Sequence, residues 1–489
     1  MERRRETPES VFDTSHFRSR SLHLAADAPE RRQALRQILI IGAGPAGMSA
    51  AMALAEAGIR PIVIDENTLA GGQGFRQTNP DIDLDADAIY GREYGRYRDL
   101  HSRFRSCLDK IDYRSSTLVW AIHDRKAHAF NVKGFSEIAF DGLILAPGAT
   151  DRLMPLPGWT LPGVFSLGAA QVALKDQGCF IGRRIVFAGS SPLLLLAALQ
   201  YHKLGARQLC VLDTTPLHHK LRAAPGLLNS GRTFLQGLSY LWALKKRGVP
   251  IHNGVELREI EGQDRVTAIR FCDASGTEHR LTCDAVALGY GLRAETQLAE
   301  LAGADFRFDH RLRQWLPRVD ENGRAGDCLY IAGDGAATGG AYAAIASGTL
   351  AATALLGELG MSQAGKNGAH LQTQVGKLRR FQHHLATAFR WPHETAQTLP
   401  GHTIVCRCEN VTADDIRTAA TQAFGPVELN RMKAITRCGM GRCQGRFCSA
   451  ALAEITAAAC GKPIDAVGRL RAQAPVKPVP ISTTETALR

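Results

Sequence analysis

Ile38-Leu-Ile-Ile-Gly42-Ala-Gly44-Pro-Ala-Gly47 is the stretch that decides the fold of this 489-residue chain. Its four consecutive apolar residues predict a buried strand, and the alanine-rich residues after Gly47 predict a helix. Three glycines form a G-x-G-x-x-G pattern between the two. Gly42 permits the tight turn, Gly44 lets a pyrophosphate approach the backbone, and Gly47 lets helix and strand pack closely. The stretch predicts a dinucleotide-binding α/β unit with phosphate charge at the helix N-terminus.

An acidic residue and a glycine-rich segment follow at the positions expected for a dinucleotide-binding unit. The next predicted strand, Pro61-Ile-Val-Ile-Asp65, ends in an acid 23 residues after Gly42, where a carboxylate accepts hydrogen bonds from ribose hydroxyls. Glu66 comes next, and Gly71-Gly72-Gln73 lies just beyond. Arg76 could meet a phosphate of the dinucleotide or a carboxylate of a partner, and a solvated arginine is the alternative.

Two later segments argue for FAD rather than NAD. Leu143-Ile-Leu-Ala-Pro-Gly148 resembles the crossover motif of flavoproteins with two dinucleotide-binding domains. Tyr330-Ile-Ala-Gly333-Asp334 resembles their second FAD motif, whose aspartate bonds the ribityl chain. The predicted FAD-binding residues are Gly42, Gly44, Pro45, Ala46, Gly47, Asp65, Glu66, Gly72, Gln73, Arg76, Ala146, Gly148, Gly333 and Asp334.

A second strand–turn–helix unit is inserted in the chain of the first, and its glycine motif is incomplete. The predicted strand Arg183–Ala188 leads into Gly189-Ser-Ser191-Pro-Leu-Leu194, with serine and leucine where the second and third glycines should stand. A side chain at either position obstructs a dinucleotide. Asp213 still ends the next strand and could select NAD over NADP. We expect a retained scaffold in which NAD(P) binding is unlikely, so electrons arrive from another source.

Cysteines gather near the C-terminus. Cys406-Arg-Cys408 is followed, after 34 residues, by Cys443-Gln-Gly-Arg-Phe-Cys448, and Cys438 lies shortly before. Four thiolates are the usual ligand set of a [2Fe–2S] cluster. Structural zinc sites also use four cysteines, although commonly as two C-x2-4-C knuckles. We favour a [2Fe–2S] cluster on Cys406, Cys408, Cys443 and Cys448, with Cys438 as the alternate to Cys443, and keep zinc or bystander cysteines as alternatives.

The predicted fold class is α/β: a two-dinucleotide-binding-domain flavoprotein, Rossmann-like, with an inserted NAD-type domain and a small C-terminal iron–sulfur domain. The predicted segments are an arginine-rich arm (1–36), the FAD-binding domain (37–155 and 290–365), the degenerate insert (156–289), a linker or helical bridge (366–402), the [2Fe–2S] domain (403–465) and a proline-rich tail (466–489).

Bulk composition limits the classes of function. The net charge of +12 could attract nucleic acid, but no nucleic-acid-binding motif accompanies it, so we expect no such partner. The sequence has no run of eighteen strictly apolar residues and no apolar region after the first arginines, so neither a membrane span nor a secretion signal is predicted. Scattered single cysteines fit a reducing cytosol. We expect a cytoplasmic protein, with peripheral attachment at the inner face of the cell membrane as the alternative.

These motifs resemble a known family. The crossover and GGQ motifs, Cys406-Arg-Cys408-Glu-Asn-Val-Thr and Gly439-Met-Gly-Arg-Cys-Gln-Gly-Arg446 are similar to the FAD-containing subunit of bacterial heteromeric dye-linked dehydrogenases. That family includes subunits of opine oxidase, hydrogen cyanide synthase and D-hydroxyproline dehydrogenase. The cysteine region resembles the bacterioferritin-associated-ferredoxin type of [2Fe–2S] domain. Tyr90-Gly-Arg-Glu and Pro157-Gly-Trp-Thr-Leu-Pro-Gly163 lean toward the opine oxidase branch.

The resemblance implies a division of labour between subunits. An amine-oxidase-like partner flavoprotein oxidises the substrate, and this chain passes the electrons to a respiratory quinone or other acceptor. FMN at a subunit interface and a small third subunit are further possibilities that the resemblance raises. The sequence leaves the substrate open among opines, D-hydroxyproline, glycine and other amines. The alternative functions are a stand-alone NAD(P)H-dependent FAD/iron–sulfur reductase and a binding module in which the cysteines hold zinc.

Overall fold

The structure is a computed structural model that describes residues 36–228, 232–361, 368–422 and 424–481. Almost all of the predicted arm (1–35) and the end of the predicted tail (482–489) lie outside the described residues. The chain from Gln37 onward forms one compact unit. The proposed domain boundaries inside that unit stay predictions.

The first part of the chain builds one α/β unit and a small meander. Its strands and helices are β1 (Ile38–Ile41), α1 (Pro45–Glu56), β2 (Ile62–Ile64), α2 (Ala86–Tyr90), α3 (Tyr94–Arg105), β3 (Asp112–Arg114), β4 (Leu118–His123), β5 (Lys126–Asn131), β6 (Gly134–Ala139), β7 (Gly142–Leu145) and β8 (Ala149–Asp151). Short 3-10 turns flank α3 at Gly91–Glu93 and Leu108–Lys110.

The inserted part carries its own strands and helices. They are β9 (Val164–Ser166), α4 (Leu167–Lys175), β10 (Arg184–Gly189), α5 (Leu193–Lys203), β11 (Gln208–Asp213), α6 (Leu217–Leu228), α7 (Arg232–Lys246), β12 (Ile251–Asn253), β13 (Glu256–Gly262), β14 (Val266–Cys272), β15 (Glu278–Thr282) and β16 (Ala285–Gly289).

The remainder returns to the first unit and then forms the cysteine region. Its elements are β17 (Leu292–Ala294), α8 (Gln297–Leu301), β18 (Phe306–Asp309), β19 (Gln314–Pro317), β20 (Arg324–Gly326), β21 (Leu329–Ile331), a 3-10 turn (Gly333–Gly335), α9 (Gly340–Glu358), α10 (Gly368–Ala388), α11 (His393–Gln397), β22 (Ile404–Cys406), β23 (Val411–Thr412), α12 (Ala413–Gln422), α13 (Leu429–Thr436) and α14 (Ser449–Ala459).

The first sheet places the predicted nucleotide motifs at one edge. Its strand order is β20-β21-β7-β1-β2-β3, and β1 pairs in parallel with β2 and β7. Ile41 lies opposite Ile64 on one side and Leu145 on the other. Because parallel strands bring their carboxyl ends to the same edge, Gly42, Asp65 and Ala146 follow neighbouring strands there, as a dinucleotide site requires.

The insert repeats this plan with five strands in the order β12-β11-β10-β16-β9, paired in parallel throughout. The antiparallel sheet β13-β14-β15 covers one side of it. Two parallel sheets, one inserted into the chain of the other, confirm the predicted two-dinucleotide-domain fold class.

Helix α9 is a central core helix of the first unit. It packs along α1, and Ala351, Ala352 and Leu355 belong to the core of the first unit. In the described residues α9 is the single helix long and apolar enough to cross a membrane, with a mean hydropathy of 1.3 over eighteen residues. More than half of that stretch is buried inside the protein, as expected for a core helix.

The predicted linker contains a long helix. Helix α10 packs against α6 of the insert and against α9 of the first unit. Phe381 and Ala388 of α10 form a small core with Ala223 and Leu227 of α6. The segment is therefore a packed helical bridge rather than an extended tether.

Candidate functional site

The first glycine loop has the close contacts that its pattern predicts. Gly42 has a φ of +102°, and a Cβ on it would lie 2.2 Å from the carbonyl oxygen of Ala146. A Cβ on Gly47 would lie 1.7 Å from the carbonyl oxygen of Gly42. Neither position tolerates a side chain, because both would meet backbone atoms.

Gly44 differs from its neighbours because the space before it is open. A Cβ there would meet only the Cα of Gly72, at 3.8 Å. Gly44 is the N-cap of α1, no side chain caps the helix, and Pro45 to Gly47 are buried. A buried helix N-terminus with uncapped N–H groups behind an open glycine fits a pyrophosphate. The loop therefore fits the phosphate groups of FAD.

Asp65 is built into this loop. Its Oδ2 accepts a hydrogen bond from the Ala43 N–H at 2.6 Å, and its Oδ1 accepts from the backbone N–H and side-chain amide of Asn67. The carboxylate is buried at the end of β2, where ribose hydroxyls are expected. Glu66, by contrast, is exposed and forms an ion pair with Lys477.

The GGQ segment closes against the phosphate loop. The Gly71 N–H donates to the Ala43 carbonyl at 2.8 Å, and a Cβ on Gly72 would lie 2.9 Å from the Cα of Gly44. Gln73 is exposed. Arg76 is largely buried, and its closest carboxylate is that of Asp176 at 3.8 Å. The structure therefore brings Gly72 to the site and leaves Gln73 at the surface.

The second FAD motif reaches the same place. A Cβ on Gly333 would lie 2.9 Å from the Cβ of Ala46 at the start of α1. Oδ1 of Asp334 accepts hydrogen bonds from the N–H groups of Gly339 and Gly340, at 2.7 and 3.0 Å. Burial raises the pKa of this carboxyl above its usual range. Four of the predicted residues from separate segments thus converge on the first glycine loop: Asp65, Gly72, Ala146 and Gly333.

A buried lysine that the sequence reasoning missed lies near Arg76. Lys175, at the end of α4, donates to Oε1 of Gln171 at 3.0 Å, and its Nζ lies 5.3 Å from the centre of the Tyr90 ring. Burial, reinforced by the Arg76 guanidinium, lowers its pKa to about 8. The pattern of α4 gives no signal for this side chain, since a lysine in the last turn of a helix is ordinarily solvated.

The second glycine loop is occupied by protein groups. Ser191 is buried, and its Oγ accepts from the Leu193 N–H at 3.3 Å, using an amide that a phosphate would need. The Ser190 hydroxyl donates to the carbonyl of Arg390 at 3.3 Å. Leu194 is buried in the core of the insert. The segment after α10 therefore lies against the loop where a nicotinamide dinucleotide would bind.

Asp213, the acidic residue of the insert, already has hydrogen-bond partners within the protein. Oδ2 of Asp213 accepts from Nζ of Lys220 at 2.6 Å, and its Oδ1 accepts from the Thr215 N–H at 2.8 Å. Nζ of Lys220 in turn lies 5.7 Å from the centre of the Phe389 ring. Phe389 and Arg390 thus contact groups at both ends of the degenerate site.

Five cysteines come together in the C-terminal region. The Sγ atoms of Cys406, Cys438 and Cys448 lie within 4.8 Å of one another, and all three residues are buried. Cys443 makes sulfur contacts with Cys448 and with Cys408, which is exposed. The alternate candidate, Cys438, therefore lies closer to Cys406 and Cys448 than the sequence alone suggests.

Hydrogen bonds among the sulfurs favour two thiolates. Hydrogen bonds from Cys438 and Cys448 lower the pKa of Cys406 far below its usual value. A hydrogen bond from Cys448 lowers the pKa of Cys443 to about 5, with Cys408 adding to the effect. Backbone amides of Glu409 and Gly439 also point at the Cys406 sulfur. Thiolates surrounded by amides are the donor set that an iron–sulfur cluster requires.

The loops around the sulfurs leave room only for glycine. A Cβ on Gly441 would lie 2.3 Å from the Cβ of Cys408. Gly439 and Gly445 have positive φ, and a Cβ on either would press on Leu470. Cys448 is the N-cap of α14, whose dipole favours negative charge there. The donor types and the cradle fit a [2Fe–2S] cluster, and they would also satisfy zinc.

The cysteine loop is fixed to the first unit by three neighbouring residues. Oε2 of Glu295 accepts from Nε of Arg446 at 2.7 Å, and Arg293 donates to Oγ of Ser449 and the Arg446 carbonyl at 2.7 and 2.9 Å. Nε2 of Gln297 donates to the Gln444 carbonyl at 2.7 Å. The Glu295 N–H donates to the carbonyl of Gly148 in the crossover segment at 3.1 Å. Sequence reasoning missed these residues, since nothing in their own pattern indicates a contact so distant in the chain.

A second buried ion pair strengthens the contact. Arg313 binds Glu454 of α14 through two hydrogen bonds of 2.7 and 2.6 Å, and Glu454 is fully buried. The indole N–H of Trp159 donates to the Ile404 carbonyl at 2.6 Å. The cysteine region is therefore packed firmly on both the first unit and the insert.

Comparison with known proteins finds a matching family for the nucleotide-binding part of the chain and another for the cysteine region. The profile of the pyridine nucleotide-disulphide oxidoreductase family matches residues 36–351, and that of the sarcosine oxidase A3 domain matches residues 401–487. Among solved structures, L-proline dehydrogenase from P. horikoshii is similar in fold, with a TM-score of 0.65 and 19% identity. The similarity covers 92% of this chain and 79% of that one.

Curated relatives extend the similarity over nearly the whole chain. The A subunit of opine oxidase from Agrobacterium tumefaciens (strain Ach5) is 36% identical over 461 residues, which cover 90% of both chains. The corresponding opine oxidase chain of Rhizobium meliloti is 37% identical, covering 90% of this chain and 86% of the relative. Hydrogen cyanide synthase subunit HcnB of Pseudomonas protegens is 32% identical, covering 91% of this chain and 96% of the relative.

Proposed function

The chain belongs to the pyridine nucleotide-disulphide oxidoreductase family and, within it, to the group that contains HcnB and the A subunits of opine oxidases. We propose the following role for it on the basis of this membership. It is the electron-transfer subunit of a heteromeric amino-acid or opine dehydrogenase. It accepts electrons from a partner subunit that oxidises the substrate, and it passes them, via FAD and a [2Fe–2S] cluster, to a respiratory-type acceptor.

Family membership makes the chain a FAD-dependent oxidoreductase, and we propose which residues hold the flavin. The first glycine loop receives the pyrophosphate at Gly44 and the N-terminus of α1. Asp65 meets the ribose, and Asp334 meets the ribityl chain. Gly72, Ala146, Gly148 and Gly333 shape the backbone around them. Gln73, Glu66 and Arg76 remain in the proposed set, with Arg76 as its buried cation.

For the cluster we propose the ligands Cys406, Cys408, Cys443 and Cys448, with Cys438 as the alternate. The sulfur of Cys408 contacts that of Cys443, so a set that includes Cys408 takes in Cys443 as well. Cys438 has no exposed surface, and its Sγ lies within 4.8 Å of those of Cys406 and Cys448, which is why it stays the alternate. When bound, FAD supplies two-electron chemistry, and the cluster supplies one-electron transfer.

The observation that carries the proposal is the contact made by Glu295. Its N–H donates to the crossover residue Gly148, and its carboxylate accepts from Arg446, which lies between Cys443 and Cys448. One residue thus touches both candidate cofactor sites. An electron relay requires two centres held at a fixed separation, and a buried ion pair with packed neighbours supports this arrangement.

Partner subunits follow from the relatives. The opine oxidase and HcnB relatives are named as subunits, and the alpha subunit of sarcosine oxidase from Rhizobium meliloti is also similar, at 24% identity. We propose an amine-oxidase-like flavoprotein as the partner that oxidises the substrate. A small third subunit, FMN at the interface between subunits, and a respiratory quinone as acceptor belong to the same proposal.

The source of electrons in this proposal is not NAD(P)H. Ser190 and Ser191 use the second loop for internal hydrogen bonds, and Lys220 holds Asp213. Stopped-flow mixing of the purified chain with NADH and with NADPH tests this reasoning directly. Flavin bleaching within seconds would instead support a stand-alone NAD(P)H-dependent reductase.

Metal analysis of anaerobically purified protein tests the cluster half of the proposal. We expect about two irons per chain and no zinc, because the four-thiolate set takes a [2Fe–2S] cluster. Zinc in place of iron would favour a binding module, and a preparation lacking both flavin and iron would reject the relay.

A further inference from the structure

Helices α6 and α7 each expose large apolar side chains. Six such residues on these two helices have between 46% and 66% of their surface exposed: Leu217, Leu221, Leu228, Leu235, Leu238 and Trp242. Apolar residues scattered singly over a surface need no explanation, but a group of this size on consecutive helices does. We call these six residues the α6–α7 surface.

The exposed residues follow helical spacing and leave the opposite faces buried. Leu217 and Leu221 are four residues apart, and Leu235, Leu238 and Trp242 are three and four apart. The other face of α6 packs on α10 through Ala223 and Leu227. Leu244 buries the inner face of α7 in the core of the insert. Each helix is therefore fully anchored on one side and apolar on the side that faces solvent.

The chain segment that carries this surface has charge of one sign, and a carboxylate from another segment, Glu93, accepts a hydrogen bond from Gln236 on α7. The sequence has no aspartate or glutamate between Asp213 and Glu256. Arg222 lies on α6, and Lys245, Lys246 and Arg247 lie at the end of α7, all with exposed side chains. Among the described residues none of these four cations forms an ion pair with a carboxylate. The segment thus joins exposed leucine and tryptophan to exposed, unneutralised positive charge.

The geometry places one of those cations directly beside a member of the α6–α7 surface. Nζ of Lys246 lies 5.1 Å from the centre of the Trp242 ring. Amphipathic helices that lie in a membrane interface combine leucine and tryptophan with lysine and arginine in this way. The fully buried centre of a protein–protein interface is instead depleted of lysine.

We propose that the α6–α7 surface docks the protein on an anionic phospholipid bilayer. The apolar side chains enter the boundary between headgroups and acyl chains, and the four cations contact phosphate groups above it. The proposal stands on the exposure and charge of α6 and α7 alone and holds whatever passes through the cofactor sites. If the electron acceptor is a membrane quinone, docking also brings the chain to it.

Vesicle flotation of the full chain with its partner subunits tests the proposal. The probes are phosphatidylcholine vesicles with and without added phosphatidylglycerol. We expect the wild-type protein to float with the anionic vesicles and to dissociate from them as salt screens the charge. A wild-type protein that stays unbound in the presence of anionic vesicles overturns the proposal.

Two variants test the charged and the apolar side chains of the surface separately. Lys245→Gln/Lys246→Gln/Arg247→Gln should weaken binding to the anionic vesicles about a hundredfold, because each cation near the surface contributes about 1 kcal/mol. Leu238→Asn/Trp242→Gln should weaken it about tenfold or more through lost apolar burial. The control Val132→Asn replaces an 81% exposed residue elsewhere and should bind like wild type.

Companion measurements separate lipid docking from protein contacts. An unchanged flavin spectrum and unfolding midpoint establish that each variant is folded, as expected for exposed positions. Loss of the partner subunits, or of a dimer in light scattering, in the Leu238→Asn/Trp242→Gln variant with unchanged vesicle binding would assign the surface to a protein interface and reject lipid docking.

Discussion

Glu295 and Arg446 form a buried ion pair, 2.7 Å between Oε2 and Nε, that joins the first unit to the cysteine loop. Although burial alone would raise the pKa of Glu295, the guanidinium groups of Arg446 and Arg293 hold it below its usual value. The pair remains charged at neutral pH and fixes the loop that carries Cys443 and Cys448. It is the contact on which the proposed relay depends most.

Glu295→Gln should loosen this contact. Removing one partner of a buried ion pair leaves an uncompensated charge on Arg446 and costs about 3 kcal/mol or more. We expect a lower unfolding midpoint and slower reduction of the cluster by the flavin, measured by calorimetry and by stopped-flow spectroscopy. The matched control Glu137→Gln breaks the solvent-exposed pair with Lys126 and should leave the unfolding midpoint nearly unchanged. Equal effects of the two substitutions would contradict the assignment.

Gly44→Val should empty the flavin site while leaving the fold intact. The backbone of Gly44 suits any residue, since its φ is −72°, and the added side chain fills the open space before α1. We expect flavin occupancy below about a tenth of wild type, because the pyrophosphate loses its approach. Iron content should not change, as the cysteines lie elsewhere. Gly95→Val, at an exposed helical position with open space around it, should retain full flavin absorbance.

Serine substitutions should distinguish the two candidate ligands. Cys443→Ser removes a proposed ligand and should abolish cluster binding, seen as loss of iron and of the cluster's visible absorption, while FAD stays bound. Cys438→Ser should retain iron, because it changes only a buried hydrogen-bond donor to Cys406. Cys460→Ser, on the far end of α14, serves as the control. Iron lost from Cys438→Ser and kept in Cys443→Ser would exchange the roles of the two residues.

Restoring small residues in the second loop should not create a nicotinamide site. In the Ser191→Gly/Leu194→Ala variant the Arg390 carbonyl still lies against Ser190, and Lys220 still holds Asp213. Titration with NADH, followed by flavin absorbance, should therefore match wild type. Saturable bleaching within seconds would mean that the two substituted residues alone had closed the site.

Lys175 predicts a pH dependence of stability. Its folded pKa of about 8 lies below the usual 10.5, so between these values the unfolded chain holds a proton that the folded chain has lost. Stability therefore rises with pH across this window, by about 3 kcal/mol. Lys175→Met should raise the unfolding midpoint of the apoprotein at pH 7, and the gain should vanish near pH 10.5. A gain of the same size at both pH values would mean that charge burial is not its cause.

The local motifs were predictable from sequence because their physics is local. The positive φ of Gly42 and the approach of Gly47 to the Gly42 carbonyl are constraints within one loop, and short apolar runs predict β1 and β2. The close approach of Gly333 to Ala46 was also predictable, since both belong to motifs of the same flavoprotein family. The clustering of Cys406 and Cys448 follows in the same way from their residue type and spacing.

Contacts between segments that are distant in the sequence could not be predicted from the sequence alone. Arg390 meets Ser190, and Arg446 meets Glu295, through pairings that no periodicity in either segment encodes. The packed position of α10 is a further case, because its polar sequence indicates a helix or linker without naming the helix it packs on. The position of Cys438 beside Cys406 likewise required the path of the whole loop.

The most direct test is to purify the tagged chain anaerobically from its native host and record visible and low-temperature EPR spectra. The account predicts that partner subunits accompany it, with flavin absorption and the signal of a reduced [2Fe–2S] cluster that appears on adding an opine or D-hydroxyproline and not on adding NADH. A solitary chain whose flavin is bleached by NADH would contradict it.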